Sequence, residues 1–329
     1  MFILVTGGCG YIGSHTVIEL LTNGYEVVVV DNLVNSSRSI IDKIQTITSR
    51  KFIFFEGDVA DNNLINTIFE NYDIRAVLHF AGHKAVYDSI CDPLSYYTNN
   101  LGMTFNLIKI MKKYNVRNII FSSSATVYGS TKSPVKESDL TGICITNPYG
   151  KTKFMLEEIF KDLWSSDKSW TIFLLRYFNP VGAHSSGLIG ENPRDTPNNL
   201  MPIIMRSAAS KNALAVFGND YDTVDGSCIR DFIHVVDLAR GHIACLSLLN
   251  SNQLHIFNLG TGCGTTVKNL IQTFSFVNNI DVKYNVVDRR PGDVAISFAD
   301  VSKADTILNW RAEYDIKTMC VDSWRSFSP

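Results

Sequence analysis

The sequence predicts an α/β protein with a doubly wound parallel sheet, followed by a smaller C-terminal α/β domain. Short runs of β-branched and aromatic residues alternate with amphipathic stretches over about the first 175 residues, which is typical of repeated β-α units. A glycine-rich turn joins the first apolar run to the first amphipathic stretch. After Asn179 the alternation becomes less regular, and glycine, proline and asparagine become frequent.

The predicted strands have apolar residues on both faces. They lack the strict alternation of apolar and polar residues that a half-buried strand shows, and they end in polar residues or glycine. We therefore expect them to be covered on both sides, as the strands of parallel sheets are. The six predicted strands are FILVTG, YEVVVVDN, FIFFEGD, AVLHFAG, NIIFSSS and TIFLLRYFN.

Three stretches between these strands read as helices. Their apolar residues recur three and four positions apart, which gives a helix one apolar face to place against a sheet. We expect residues 1–178 to form the first domain and residues 179–329 the second, with some later segments returning to the first. The predicted helices are SHTVIELLTNG, DNNLINTIFENYD and TFNLIKIMKKYN.

The composition favours a globular protein that acts on a small molecule. Of the 329 residues 45% are hydrophobic, and 30 basic residues against 32 acidic ones leave a net charge of −2 with no block of like charge. This excludes a basic face for nucleic acid or membrane. Seven cysteines without a C-x-x-C pair argue against a disulfide framework and a zinc site. We therefore expect no metal. No export signal is visible, so we expect a cytoplasmic protein.

The stretch TGGCGYIGSHT is the first motif that predicts a ligand. Gly8, Gly10 and Gly13 fit the pattern G-x-G-x-x-G, and Gly7 with the last two fits the wider G-x-x-G-x-x-G. Missing side chains permit the tight turn and the close approach of the backbone to a pyrophosphate, whose charge the helix N-terminus stabilises. The turn therefore predicts a Rossmann-type dinucleotide site.

Asp31 favours NAD over NADP at this site. It ends the second predicted strand, where its carboxylate can accept hydrogen bonds from a ribose and would repel a 2′-phosphate. Asp58, after FIFFEG, and the FAG of Phe80, Ala81 and Gly82 also follow predicted strands. The sheet would place them beside the adenine and the pyrophosphate.

The stretch NPYGKTKFMLEE places Tyr149 and Lys153 four residues apart in the first turn of a predicted helix. This spacing also occurs on ordinary surface helices. Here, however, a predicted nicotinamide site lies upstream in the sequence, and oxidation of an alcohol requires a base that removes its proton. A phenol with a pKa of about 10 is a weak base, and a nearby cation lowers that pKa by roughly one to three units. Lys153 and oxidised nicotinamide together would supply this shift, and Ser124 in FSSSATVYG would bridge the substrate oxygen and the phenol.

These motifs resemble those of the extended short-chain dehydrogenase/reductase family and, within it, the UDP-hexose 4-epimerases. The resemblance covers nearly the whole chain. The strings RYFNPVGAH, NNLMP and RDFIHV are the most specific, because they belong to the part that binds the nucleotide sugar. The other matching strings are DNL, EGD, HFAG, KAV, FGNDY, NLGTG and RRPGD, beside the glycine turn and the serine and tyrosine motifs.

The resemblance implies a reaction with no net redox change. Tyr149 would take the proton of the sugar 4-hydroxyl while hydride passes from C4 to NAD, and the resulting 4-keto sugar would turn over in the site. Hydride would then return to the opposite face, so NAD would stay bound. The pathways implied are galactose metabolism and polysaccharide biosynthesis, and a homodimer is expected.

The resemblance also implies the binding residues. Arg230 and Arg290 would pair with diphosphate oxygens, since guanidinium groups match that geometry, and Asp293 would bind the ribose. The residues expected to bind NAD are Gly7, Gly10, Tyr11, Ile12, Gly13, Asp31, Asn32, Asn35, Asp58, Val59, Phe80, Ala81, Gly82, Lys84, Asn99, Tyr149, Lys153 and Phe178. Those expected to bind the nucleotide sugar are Lys84, Ser124, Tyr149, Asn179, Asn199, Leu200, Val216, Phe217, Arg230, Phe232, Arg290, Asp293 and Ser297.

Ser297 bears on the sugar that is accepted. In this family its position lines the pocket near the C2 substituent, where a tyrosine largely excludes 2-acetamido sugars and a small residue admits them. A serine predicts that UDP-GlcNAc and UDP-GalNAc are substrates beside UDP-glucose and UDP-galactose. The chain departs from the family pattern at His83, at Tyr87 and at Phe232, and NNLGMT replaces the commoner asparagine–glycine arrangement after Asn100.

Three other functions remain as alternatives. A nucleotide-sugar 4,6-dehydratase needs an acidic pair directly after its serine or threonine, where this chain has Ala125 and Thr126. A net reductase of this family would use NADPH, which Asp31 disfavours. A non-catalytic protein that senses a dinucleotide would have no need of Ser124, Tyr149 and Lys153 together with a nucleotide-sugar pocket.

Overall fold

A computed structural model describes residues 1–193, 197, 199–290 and 292–327 of the chain. Asn198 of the NNLMP string and Pro291 of RRPGD lie outside the described residues. The strands are β1 (Phe2–Thr6), β2 (Glu26–Asp31), β3 (Ile53–Glu56), β4 (Ile74–His79), β5 (Asn118–Ser124), β6 (Thr171–Tyr177), β7 (Asn179–Val181), β8 (Leu214–Phe217), β9 (Ile229–His234), β10 (Leu254–Leu259), β11 (Gly264–Thr266), β12 (Tyr284–Val287) and β13 (Ile296–Ser297). The helices are α1 (Tyr11–Thr22), α2 (Ser39–Thr48), α3 (Asn62–Asn71), α4 (Val86–Cys91), α5 (Pro93–Lys113), α6 (Pro148–Ser166), α7 (Leu200–Ser210), α8 (Val235–Cys245), α9 (Val267–Asn278), α10 (Ser302–Leu308) and α11 (Ile316–Ser326).

A seven-stranded sheet confirms the predicted fold class. Its order is β3-β2-β1-β4-β5-β6-β10, so the chain runs from β1 to one edge and then restarts beside β1 with β4. This is the strand order of a Rossmann fold with one added strand, β10, which the sequence reading did not identify. The order reverses between β1 and β4, and ligands bind at such switch points, outside the carboxyl ends of the strands.

Two of the helices that flank this sheet, α5 and α6, begin at a residue whose side chain caps the helix N-terminus. The side chain of Asp92 accepts a hydrogen bond from the Ser95 amide at the start of α5, and Asn147 caps the Gly150 amide in the same way at α6. Proline follows both caps, where its missing N–H costs nothing. As a result α5 begins eleven residues before its predicted TFNLIKIMKKYN stretch (104 − 93). Helices α2 and α4 were not predicted.

The contacts divide the chain into two compact units whose boundaries differ from the predicted ones. The first contains residues 1–129, 141–176 and 239–257, and the second contains residues 130–140 and 177–238 and the chain from Asn258 onwards. The predicted boundary after residue 178 lies beside the one at 176/177, and two further segments are exchanged, of which the prediction allowed for the later one. Residues 130–140 belong to the second unit because Val135 bridges to Ala299 there. Residues 239–257 belong to the first, whose sheet β10 extends.

The second unit has its own sheet and core. Strand β9 lies at the centre of the sheet, with β11 antiparallel to it and β7 and β13 parallel, while β8 and β12 form a separate parallel pair. A core of buried apolar side chains from β9, α7, α9 and α11 supports this sheet. In the part of the chain that the structure describes, no helix has the length and apolarity needed to span a membrane.

Candidate active site

The glycine turn between β1 and α1 has the geometry of a phosphate-binding loop. Gly7 has a φ of +70°, and a Cβ there would lie 2.7 Å from the amide nitrogen of Ala81. A Cβ on Gly13 would lie 2.2 Å from the carbonyl oxygen of Gly7. The cap residue of α1 is Gly10, which provides no side-chain cap, so backbone amides alone form the N-terminus there. These close approaches keep the turn open to a pyrophosphate.

Asp31 at the end of β2 is held in one orientation. Its Oδ2 accepts the Cys9 amide of the glycine turn at 2.9 Å, and its Oδ1 accepts the Leu33 amide and the Ser36 hydroxyl, both at 2.9 Å. The side chain is only 8% exposed. The carboxylate is thus placed beside the turn, as a ribose-binding acid requires. Asn32 donates to Asp58 Oδ2 at 2.9 Å, so these two predicted cofactor residues also meet.

Phe80, Ala81 and Gly82, which were predicted to bind NAD, directly follow the carboxyl end of β4. The amides of Phe80 and Ala81 donate to the Thr6 carbonyl, which ties the end of β4 to the end of β1. The Phe80 ring lies 4.9 Å from the ring of His242. Val59 is 3% exposed and packs in the core of the sheet, so contact with a cofactor would use its backbone.

Asn99 on α5 supplies an independent sign of a ligand. Its Oδ1 is buried and has no hydrogen-bond partner within the described residues, an arrangement that costs about 1–3 kcal/mol unless a ligand or water satisfies it. Together with the cradle formed by Gly7 and Gly13, this orphan acceptor fits a bound dinucleotide. The residues present in the first unit therefore fit NAD.

Ser124 and Tyr149 meet at the end of β5 and the start of α6. Their side chains share a hydrogen bond, and Ser124 Oγ also accepts the Thr126 amide at 3.2 Å, which caps a short 3₁₀ helix over Ala125–Tyr128. The cap fixes the rotamer of Ser124. The structure thus confirms that the first turn of a helix carries Tyr149 and brings the predicted serine to the phenol.

The electrostatics of the pair differ from the expectation. Burial raises the pKa of Tyr149 to about 12, and the hydrogen bond from Ser124 opposes this rise. Lys153 directs its Nζ to the Ser122 carbonyl at 2.7 Å and lies 5.8 Å from the Tyr149 ring centroid. Burial lowers the pKa of Lys153 to about 7. Desolvation, which acts on both groups, therefore outweighs the predicted effect of the ammonium on the phenol.

A buried ion pair on the helix that carries Tyr149 was not predicted from the sequence. Arg176 on β6 donates to both carboxylate oxygens of Glu157 on α6, at 3.0 and 2.7 Å, and both side chains are at most 1% exposed. Ser123 donates to Glu157 at 2.5 Å, and Arg176 donates to the Tyr128 hydroxyl at 2.9 Å. The pair joins β5, β6, α6 and the short 3₁₀ helix. Arg176 inside the apolar run TIFLLRYFN was the available signal.

In the second unit two guanidinium groups converge on one carboxylate. Arg230 on β9 lies 3.5 Å from Asp293, and Arg290 donates to Asp293 at 3.1 and 2.9 Å. Arg230 also donates to the Val294 carbonyl at 2.8 Å, and Arg290 lies over the Phe217 ring at 5.5 Å. Two cations against one anion leave a net positive charge, which suits a diphosphate.

Strand β9 brings the other predicted sugar-binding residues into register. Ser297 on β13 is paired with Arg230, and Asn179 on β7 is paired with Phe232. Phe232 is 4% exposed and Val216 is 1% exposed, and both lie in the core of the second unit. Because their apolar side chains build the core beneath the strands, contact of these two residues with the nucleotide sugar would use their backbone, and it stays a prediction.

Asn199, Leu200 and Phe178 lie at the boundaries of elements in the second unit. Asn199 is the cap residue of α7, but its amide donates to Glu191 at 2.6 Å instead of capping the helix. Leu200 is the first residue of α7. Phe178, between β6 and β7, is 5% exposed and donates its amide to the Leu259 carbonyl. Asn35 and Lys84 are exposed in the first unit.

The described residues contain no cluster of histidine, cysteine or carboxylate side chains able to hold a metal. Three of the four departures from the family pattern lie in one region of the first unit, and the fourth, Phe232, lies in the second unit. Tyr87 is 67% exposed on α4, and the His83 ring packs 5.3 Å from the ring of buried Tyr96. Asn100 is 3% exposed and is hydrogen-bonded to the backbone of His83.

Comparison with known proteins agrees with this geometry. The chain is 52% identical over 328 residues to a UDP-glucose 4-epimerase of Bacillus subtilis (strain 168), covering 99% of this chain and 96% of the relative. A crystal structure of UDP-glucose 4-epimerase from Bifidobacterium longum in complex with NAD+ and UDP superposes with a TM-score of 0.95 at 46% identity, covering 99% of this chain and 98% of that one.

A third similar protein acts on two kinds of UDP-sugar. The structure of the UDP-Glc/GlcNAc 4-epimerase from Campylobacter jejuni superposes with a TM-score of 0.85 at 37% identity, and 98% of each chain is covered. The family model for NAD dependent epimerases and dehydratases matches residues 3–260. With that match, and with the relatives above, this chain belongs to the NAD dependent epimerase/dehydratase family.

Proposed function

We propose that this chain interconverts UDP-hexoses at C4 with bound NAD, and that it accepts UDP-GlcNAc and UDP-GalNAc beside UDP-glucose and UDP-galactose. The observation that carries the reaction is the Ser124–Tyr149 hydrogen bond beside buried Lys153, in the same unit as the dinucleotide turn. NAD, when bound, accepts and returns the hydride and adds a positive charge. Asp31, the glycine turn and Asn99 would hold it.

The chain's own residues move the proton. Tyr149 takes the proton of the 4-hydroxyl and later returns it to the 4-keto oxygen, with Ser124 donating to the phenol oxygen. The ammonium of Lys153 lies on the face of the phenol ring, where a positive charge favours the phenolate. Ala125 and Thr126 follow Ser124, so no acidic pair is present for loss of water from the sugar.

Binding energy for the substrate is assigned to the nucleotide. Arg230 and Arg290 would exchange part of their contact with Asp293 for diphosphate oxygens, and Asp293 would then accept from the ribose. A firmly held nucleotide and a loosely held sugar allow the 4-keto intermediate to present either face to the cofactor.

Ser297 supports the acceptance of 2-acetamido sugars. The residue is half-buried on β13, opposite Arg230 of the diphosphate site, and its hydroxymethyl group takes far less space than a tyrosine ring. A similar protein from Campylobacter jejuni is described as a UDP-Glc/GlcNAc 4-epimerase. A small side chain admits the larger substituent without excluding the smaller.

The test is Ser297→Tyr, with Ser297→Ala as the matched small control, assayed on both sugar pairs. Tyrosine should reduce kcat/KM for UDP-GlcNAc by about ten- to two-hundredfold, the effect of overpacking by about 1–3 kcal/mol, and leave UDP-glucose nearly unchanged. Alanine should retain both activities. A wild-type protein that fails to convert UDP-GlcNAc contradicts the proposed substrate range.

A homodimer in the cytoplasm completes the proposal. Helices α5 and α6 of the first unit expose apolar side chains, with Leu94 75%, Phe105 40% and Met155 40% exposed, and a second copy would cover this face. Leu94→Glu should give a monomer in light scattering, whereas Leu140→Glu, at a residue that is 73% exposed elsewhere, should not. Dimeric Leu94→Glu would contradict this interface.

All seven cysteines are free, which fits a reducing compartment.

A further inference from the structure

Asp231 is a fully buried carboxylate in the sheet of the second unit, and the proposed reaction gives it no role. It follows Arg230, a residue of the proposed diphosphate site, on the central strand β9. Burial of a carboxylate is costly unless donors or a cation stabilise its charge. The groups that surround Asp231 therefore show what the acid holds in place.

Four hydrogen bonds reach the two oxygens of this carboxylate. Oδ1 accepts the amide of Thr261 at 2.8 Å and the hydroxyl of the same residue at 2.6 Å. Oδ2 accepts the Gly262 amide at 3.0 Å and the Ala299 amide at 3.1 Å. All four partners donate, so they favour the ionised form and oppose the rise in the pKa of Asp231 that burial causes.

The donors belong to two segments that are distant in sequence. One is the turn of residues 260–263 between β10 and β11, and the other is the chain directly after β13. The approach of the turn requires a glycine, since a Cβ on Gly260 would lie 2.6 Å from Asp231 Oδ2 and 3.1 Å from the Cβ of Ala299. One side chain on the central strand thus joins the turn to the end of β13.

Strand β13 is short and has little backbone pairing of its own. Its two residues pair with the first two residues of β9, which places Ser297 opposite Arg230. From Phe232 onwards β9 pairs with β7, where Asn179 lies, so Asp231 stands between the two pairings. A shift of β13 by one residue would turn the Ser297 side chain to the other face. The Asp231 side chain binds the amide two residues after Ser297 and so opposes such a shift.

We propose that Asp231 is a positioning residue that holds β13 in register and so fixes the space that Ser297 leaves for the C2 substituent of the sugar. Since Asp231 is fully buried, it acts through the backbone of Ala299 and not by touching the substrate. The inference rests on the proposed role of Ser297. A strand that is held firmly cannot yield to a larger side chain, whereas a released strand can. The cost of a tyrosine at position 297 should therefore depend on Asp231.

The test measures the coupling between Asp231→Asn and Ser297→Tyr. Asparagine keeps the size of the side chain but replaces one acceptor oxygen by an NH2 group, which then faces two donors. The control is Asp225→Asn. Asp225, in the same unit, accepts the Ser227 amide at 2.9 Å and its hydroxyl at 2.6 Å, so this substitution releases a different loop. Each single variant and each double variant with Ser297→Tyr is assayed for kcat/KM with UDP-glucose and UDP-GlcNAc.

In the wild-type background Ser297→Tyr should lower kcat/KM for UDP-GlcNAc relative to UDP-glucose by about ten- to two-hundredfold. In the Asp231→Asn background this selective loss should be smaller by at least about threefold, a coupling that interacting residues commonly show. In the Asp225→Asn background the full loss should remain. General destabilisation does not change a ratio of two substrates, so the readout is specific for the position of β13. A loss in Asp231→Asn that is reduced by less than threefold overturns the inference.

Gly260→Ala reaches the same contact without removing the carboxylate, and it replaces Asp231→Asn should that variant fail to fold. Its Cβ would press on Asp231 Oδ2 and on Ala299, so Ser297→Tyr should again cost less. If Ser297→Tyr is selective to the same extent in every background, the role of Asp231 is refuted and that of Ser297 stands. If Ser297→Tyr is not selective in the wild-type background, the proposed role of Ser297 is wrong and the inference fails with it.

Discussion

At the scale of single residues, the pKa values of Tyr149 and Lys153 decide what the site can do. Burial raises the pKa of the phenol to about 12 and lowers that of the ammonium to about 7, so desolvation favours the neutral form of both. Only groups that stabilise a phenolate can make Tyr149 a base near neutral pH. Ser124 is one such group, the charged form of Lys153 is a second, and oxidised nicotinamide, when bound, is a third.

Tyr149→Phe tests the base directly. The substitution removes the hydroxyl and keeps the ring, so kcat should fall at least about a hundredfold, the usual contribution of general acid–base catalysis. Affinity for UDP should change little, because Arg230 and Arg290 lie in the second unit. Steady-state kinetics and calorimetry with UDP measure both. Turnover close to wild type would show that another group takes the proton.

Ser124→Ala should change the pH dependence of kcat. The hydrogen bond from Ser124 lowers the pKa of Tyr149, so its loss raises that pKa further. The base is the deprotonated phenol, and its fraction at a given pH therefore decreases. The acidic limb of the pH–kcat profile should move to higher pH. A lower kcat with an unshifted limb would mean that Ser124 only orients the substrate.

At the scale of elements, the buried pair of Arg176 and Glu157 braces the end of β5 and the start of α6. Glu157 is four residues after Lys153 and eight after Tyr149, so the three share one face of α6. A buried pair adds little net stability over an apolar isostere, but breaking it leaves an unpaired charge. The pair thus makes the geometry of the catalytic helix sensitive to single substitutions.

Glu157→Gln should lower the free energy of unfolding by about 3–5 kcal/mol, because Arg176 would remain buried without its anion. The adjacent Glu158 offers a matched control. It pairs with Lys161 at 2.6 Å on the surface, with half of its side chain exposed, so Glu158→Gln should cost at most about 1 kcal/mol. Urea denaturation measures both changes. Equal effects for the two variants would contradict a special role for the buried pair.

The sequence was sufficient for those elements whose pattern is local. The first six strands of the chain, the glycine turn and the Tyr149–Lys153 spacing depend on neighbouring residues, and the structure has them where the sequence predicts them. Interactions between distant segments could not be predicted this way. The Arg176 side chain inside an apolar strand and the added strand β10 depend on partners far away in sequence.

Burial also bears on the predicted site. Val216 and Phe232 were expected to bind the nucleotide sugar, but the sequence does not say which face of a strand a side chain occupies. Both side chains lie in the core, so contact with the substrate would use the backbone. Asp231, in contrast, has a structural role that the sequence did not predict. Its fully buried carboxylate accepts the Thr261, Gly262 and Ala299 amides at 2.8–3.1 Å and anchors the segment that carries Ser297. Nothing in the sequence alone marks it as more than a charge beside Arg230.

At the scale of the whole molecule, each unit is assembled from separate segments of the chain, and each carries part of the proposed site. The first holds the dinucleotide turn, Asp31 and the proposed catalytic residues, and the second holds the paired guanidinium groups and Ser297. In a reaction that reduces and reoxidises NAD in every turnover, the cofactor has no need to leave. The protein should therefore be purified with NAD already bound.

The most direct test of this account is to incubate the purified protein with UDP-galactose, without added cofactor, and to identify the sugar nucleotides formed. We predict that UDP-glucose accumulates to an equilibrium mixture, at a rate that added NAD does not increase, and that Tyr149→Phe forms at least about a hundredfold less in the same time. A wild-type protein that forms no UDP-glucose, with or without added NAD, would contradict the account.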